Sequence, residues 1–113
     1  MITSSLTQEI TNLHADLCSA LADSTRLLLL YALADQPRNV SELTRELEVA
    51  QPTVSRHLKV LREAGLVIAT RQGASVQYEL CDHRVIEALD ILRSVLRERI
   101  QHHADLIDEF IPE

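Results

Sequence analysis

QPTVSRHLKVLREAGL, residues 51–66, predicts one short helix with a sharp start, a sharp stop and two unlike faces. Pro52 suits the first helical position, where a missing N–H costs nothing, and Gly65 suits the left-handed residue just past the end. Val54, Leu58 and Leu61 recur at spacings of four and three, so they form one buried stripe. The opposite face carries Thr53, Ser55, Arg56, Lys59 and Arg62. Hydroxyls near a helix N-terminus, with cations along its length, suit phosphates and base edges in a major groove.

Working outward, the chain reads as five helices and one hairpin. The first helix runs from about Ser5 to Leu21, with Leu6, Ile10, Leu13, Leu17 and Leu21 on one stripe. Asp23 is a candidate N-cap for a second helix, Ser24 to Ala34, whose LLLLYAL segment is apolar nearly all round and therefore central. After a turn at residues 36–39, Ser41 is the expected cap of a short third helix that turns Leu43 and Leu47 inward. Residues 51–66 form the fourth. Val67 to Arg71 and Val76 to Leu80 are rich in β-formers around Gln72-Gly73-Ala74-Ser75, so they pair as a hairpin. Asp82 then caps a long last helix, His83 to about Phe110. Two short helices followed at once by a hairpin give the order of a winged helix-turn-helix. The fold class is mainly α with a β-hairpin wing, and residues 1–113 are read as one such domain with dimerisation helices at both ends.

Composition agrees. A chain of 113 residues has room for one core, and 46% hydrophobic with 25% charged residues places it among globular chains. No apolar run reaches a bilayer span, and MITSSLTQEI lacks the basic start and apolar block of a secretory signal, so a cytoplasmic protein is expected. Two cysteines sixty-three positions apart do not make a disulfide framework. The net charge of −6 is unevenly spread. From Gln51 to Tyr78, Arg56, Lys59, Arg62 and Arg71 face only Glu63, a balance of +3, while the remainder carries −9. Local field governs phosphate attraction, and an acidic remainder discourages indiscriminate binding. A catalytic role is disfavoured: with only Gly65 and Gly73 there is no phosphate loop or nucleophile elbow, and the carboxylates are scattered along amphipathic helices.

The last helix carries a second signal. Val85, Leu89, Leu92, Leu96, Ile100, His103, Ile107 and Phe110 follow one another at threes and fours, an apolar seam longer than so small a core can cover. The first helix carries a similar stripe. The expected use of both is a homodimer interface. The partner is then double-stranded DNA with two-fold symmetric half-sites, contacted by Gln51, Thr53, Ser55, Arg56, His57 and Lys59 on the helix and by Arg71, Gln72, Ser75 and Gln77 on the hairpin. The rival reading is a winged-helix module that docks a protein and never touches DNA; the basic concentration on the reading helix and hairpin speaks against it.

LADSTRLLLLYAL, VSELTRELEVAQPTVSRHLKVLREAGLV and TRQGASVQYEL together resemble the helix-2 entry, helix-turn-helix and wing of the ArsR/SmtB family of dimeric winged-helix repressors, with Ser24 where a proline is common. The resemblance implies a transcriptional repressor that leaves its operator when an inducer binds or a thiol is modified. It also implies a departure. Of one family zinc site, Asp82 and Glu98 match the outer ligands, but Arg84 and Val95 stand where two imidazoles belong, and neither can ligate zinc. The third helix has no cysteine for the family's thiolate site. His14 and Cys18 at i and i+4, Cys81, and His102 with His103 are the remaining candidates for a transition-metal, metalloid or redox-thiol signal. The alternative makes Cys18 a small core hydrophobe, Cys81 a strand-end residue and the histidines interfacial or solvated.

Overall fold

The computed structural model describes residues 2–110, with side chains through residue 106. The chain divides into two units, Met1–Asp82 and His83–Glu113. In the first, the Thr3 hydroxyl accepts the Leu6 N–H at 3.0 Å and starts α1 (Ser4–Glu9). A π-helical segment, Ile10–His14, runs on into α2 (Ala15–Ala20). The expected uniform helix is thus interrupted by a wider turn, which shifts the phase of everything after it. Leu6, Ile10 and Leu13 are exposed, Leu17 and Leu21 are half-buried, and Ala20 is buried.

Asp23 caps α3 (Ser24–Ala32) as expected, accepting the N–H groups of Thr25 and Arg26 at 2.8 and 3.1 Å. The next helix, α4 (Val40–Leu47), is capped by Asn39 rather than Ser41. Asn39 Oδ1 accepts the Glu42 N–H at 2.8 Å, and Glu42 Oε1 accepts the Asn39 N–H at 3.0 Å. Asn39 has a glutamate three residues on and closes this reciprocal box, whereas Ser41 has Thr44 there. After α4 the chain turns through Glu48 into α5 (Gln51–Glu63). Pro52 is the second helical residue, not the first; the first i→i+4 bond reaches Ala50 O from Val54, so its missing N–H is harmless there too.

Glu48 has φ 56° and ψ 41°, the left-handed region, without the glycine that normally relieves it. Left-handed backbone costs an L-residue roughly 1–2 kcal/mol, and glycine's freedom in the unfolded chain returns about half of that. Glu48→Gly should therefore raise stability by up to about 1 kcal/mol, read as a higher urea midpoint with an unchanged slope. Glu48→Ala, which keeps a Cβ, should give no such gain.

The hairpin is β1 (Val67–Gln72) against β2 (Ser75–Leu80), antiparallel in a register from Val67↔Leu80 to Gln72↔Ser75. Gly73, at φ 64°, opens its two-residue turn, the position a II′ turn reserves for glycine. An unanticipated third segment joins β2: Arg38 N–H donates to Tyr78 O at 3.0 Å, and Tyr78 N–H donates to Arg38 O at 2.8 Å. The Arg38 side chain donates to Ala32 O at 2.8 Å and pairs with Glu46 at 3.2 Å, tying α3, α4 and hairpin together. Between them lie Leu29, Leu30 and Leu33, Leu43, Val54, Leu58 and Leu61, all fully buried or nearly so.

The second unit is one helix, α6 (Arg84–Phe110). Its first bonds run from Ile86 and Glu87 N–H to His83 O, so His83 rather than Asp82 holds the cap position. Ile91, Leu92, Val95, Leu96 and Ile100 are all at least half exposed in the single chain. The expected seam residues Ile107 and Phe110 lie outside the described side chains. Among the described residues no helix is long and apolar enough to cross a membrane.

Candidate nucleic-acid interface

The two faces of α5 are those of the sequence pattern, with one exchange. Val54, Leu58 and Leu61 point inward, and His57 goes with them at 9% exposure. A residue so enclosed cannot reach a base edge, so His57 leaves the expected DNA-contacting set. Its position was readable: it lies three residues after Val54 and four before Leu61, on the apolar stripe itself. Gln51, Ser55, Arg56, Lys59 and Arg62 are exposed on the other side, and Thr53 is half-buried. On the hairpin Arg71 and Gln72 are exposed, while Ser75 and Gln77 are half-buried. Arg71 Nε donates to Gly73 O at 3.4 Å, which holds the guanidinium beside the turn.

Behind the reading helix sits a polar cluster with no counterpart in the sequence reading. Arg26 Nη1 donates to His57 Nδ1 at 3.2 Å, and His57 Nε2 lies 3.9 Å from Asp23 Oδ1. The Arg26 backbone N–H holds the Asp23 carboxyl below the usual carboxylate range; His57 and the Thr25 N–H act in the same sense, against partial desolvation.

The candidate sensing residues are spread out. His14 lies in the π segment and Cys18 on α2, and both are exposed, so Cys18 is not the small core hydrophobe of the alternative reading. Cys81 is also exposed, at the end of β2. Desolvation pushes its thiol above the ordinary value, and the adjacent Asp82 carboxylate adds to the shift. His102 and His103 are exposed on α6. Among the described residues no three His, Cys, Asp or Glu side chains gather as a metal cluster, and Arg84 and Val95 do not fit the two imidazole positions of the zinc site that the resemblance implies.

A reading helix cradled by α3 and α4, with a hairpin at its end, defines a winged helix-turn-helix protein. Residues 23–69 match the family described as bacterial regulatory protein, arsR family. The repressor SmtB of Mycobacterium tuberculosis is 41% identical over 69% of this chain and 58% of its own length. The transcriptional regulator CmtR of Mycobacterium bovis is 42% identical over 73% of this chain and 70% of its own. A solution structure of a homodimeric winged helix-turn-helix DNA-binding domain from Mycobacterium bovis is 28% identical, covers 89% of this chain and 94% of that one, and superposes with a TM-score of 0.77. The chain belongs to the arsR family of bacterial regulatory proteins.

Proposed function

We propose that this chain is a transcriptional repressor that binds double-stranded operator DNA as a homodimer. The observation that carries the reading is the outward face of α5: Ser55, Arg56, Lys59 and Arg62 stand exposed along one side of a helix whose other side is core. In this reading α5 of each protomer enters the major groove, and half-sites lie about one helical turn apart. Gln51, Thr53, Ser55 and Arg56 approach bases or adjacent phosphates, Lys59 holds phosphate, and Arg71, Gln72, Ser75 and Gln77 meet the flanking backbone or minor groove. The homodimeric Mycobacterium bovis domain and the repressor SmtB support it by kinship.

Arg56→Ala should weaken specific binding by about 1–3 kcal/mol and relax base preference at one position of each half-site if Arg56 reads a base. Fluorescence anisotropy with a duplex selected by the wild-type protein from a random pool checks this. Binding that ignores both the substitution and the salt concentration would refute the DNA reading.

The signal that releases DNA is read as a metal, a metalloid or a thiol modification acting through the terminal helices. A ligand shifts an equilibrium only by its differential affinity for two conformations. Of the two thiols Cys18 suits this better, since the raised pKa of Cys81 disfavours the reactive thiolate. His14, one turn before Cys18, and His102 and His103 are its candidate companions.

A further inference from the structure

Arg26 is the one side chain described here that touches three helices at once. From the first turn of α3 its Nε donates to Ala20 O at 2.6 Å and its Nη2 to Ser19 O at 3.0 Å. Both carbonyls belong to the last turn of α2, where helical carbonyls lack intrahelical partners. Its Nη1 donates to His57 Nδ1 on α5. A guanidinium is always protonated and has no acceptor, so Nδ1 must carry the lone pair. That fixes the tautomer: the imidazole proton sits on Nε2, on the side of Asp23 Oδ1, at 3.9 Å. Filling the core would need only a leucine at position 57, as at Leu58 and Leu61. A histidine there adds a directional bond.

We propose that Arg26 and His57 are positioning residues which pin the reading helix to the α2–α3 corner and so set how its outer face is presented to DNA. The inference rests on the operator-binding reading above. One hydrogen bond on His57 resists rotation of α5 about its own axis, and the same guanidinium holds the end of α2. A movement of α2 is thereby passed to Ser55, Arg56 and Lys59 without any contact between α2 and DNA. A displacement of the Ser19 and Ala20 carbonyls must either drag the guanidinium or break its bonds, and both change what His57 accepts.

The test compares His57→Leu, which keeps the burial and deletes the acceptor, with His57→Asn, whose Oδ1 reaches close to the place of Nδ1. Both are measured on the duplex selected by the wild-type protein and on a scrambled duplex of equal length, at a temperature where circular dichroism shows each variant fully folded. His57→Leu should lose specific affinity by roughly threefold to thirtyfold, the range of such couplings, with binding to the scrambled duplex unchanged. His57→Asn should stay within about twofold of wild type, because the acceptor is restored. A folded His57→Leu with wild-type selectivity overturns the proposal. If His57→Leu does not fold, the ¹⁵N spectrum of the wild-type imidazole decides: a bare Nδ1 and protonated Nε2 support the link, and the opposite tautomer overturns it. A wild-type protein that selects no duplex at all instead removes the operator-binding reading, before any variant is made.

Discussion

Leu96→Glu is expected to convert a micromolar dimer into a folded monomer and to abolish specific DNA binding. Leu92, Leu96 and Ile100 are 57%, 60% and 71% exposed in the single chain, on a helix with apolar residues at nearly every third or fourth place. Soluble monomers seldom leave so long an apolar strip in water. In a two-fold dimer the same residue is buried twice, once from each side. An unpaired carboxylate in such a seam costs several kcal/mol per chain, so dissociation should strengthen a thousandfold or more, taking roughly 4 kcal/mol as the floor. The exposure of Leu96 in the isolated chain also predicts that helix content survives, which separates loss of assembly from loss of fold. Sedimentation equilibrium and circular dichroism read the two quantities independently. A wild-type protein that sediments as a monomer at micromolar concentration would remove the seam altogether.

How far the sequence reveals this molecule depends on how local each feature is. The stripe of Val54, Leu58 and Leu61, the caps around it and the hairpin centred on Gly73 are set by residues within a turn or two of each other, and they appear where expected. The outer face of α5 was legible for the same reason. The cap of α4 was misplaced by two residues because Ser41 and Asn39 are both competent caps, and only the partner three places on distinguishes them. The π segment leaves no residue-type signature, since it changes the hydrogen-bond partner and not the polarity pattern. Long-range polar contacts were the least visible. Arg38 reaching Tyr78, and Arg26 reaching His57 across thirty-one positions, depend on the finished fold. His57 therefore looked like a neighbour of Arg56 on the reading face, although its spacing from Val54 and Leu61 already placed it inside.

The other large effect tests the inner face of α5. Leu58 is fully buried among the side chains of α3 and α4, with no exposed atom to cushion a truncation. Leu58→Ala should destabilise by about 2–5 kcal/mol, lost transfer free energy plus an incompletely collapsed cavity. For a domain whose whole stability is on the order of 5–15 kcal/mol, that is a third or more of the total. Lys59, the next residue, is exposed, and Lys59→Ala should stay within roughly 0.5 kcal/mol in stability. It should instead lower the slope of log affinity against log salt by about one, the signature of one phosphate contact per protomer lost. Urea unfolding is best followed in the Leu96→Glu background, so that dissociation does not enter the midpoint. Adjacent residues on one helix would then separate completely, one changing stability and the other salt-dependent DNA affinity. Equal loss of stability in both would mean that α5 lies rotated from the orientation described, and that its cations do not face DNA.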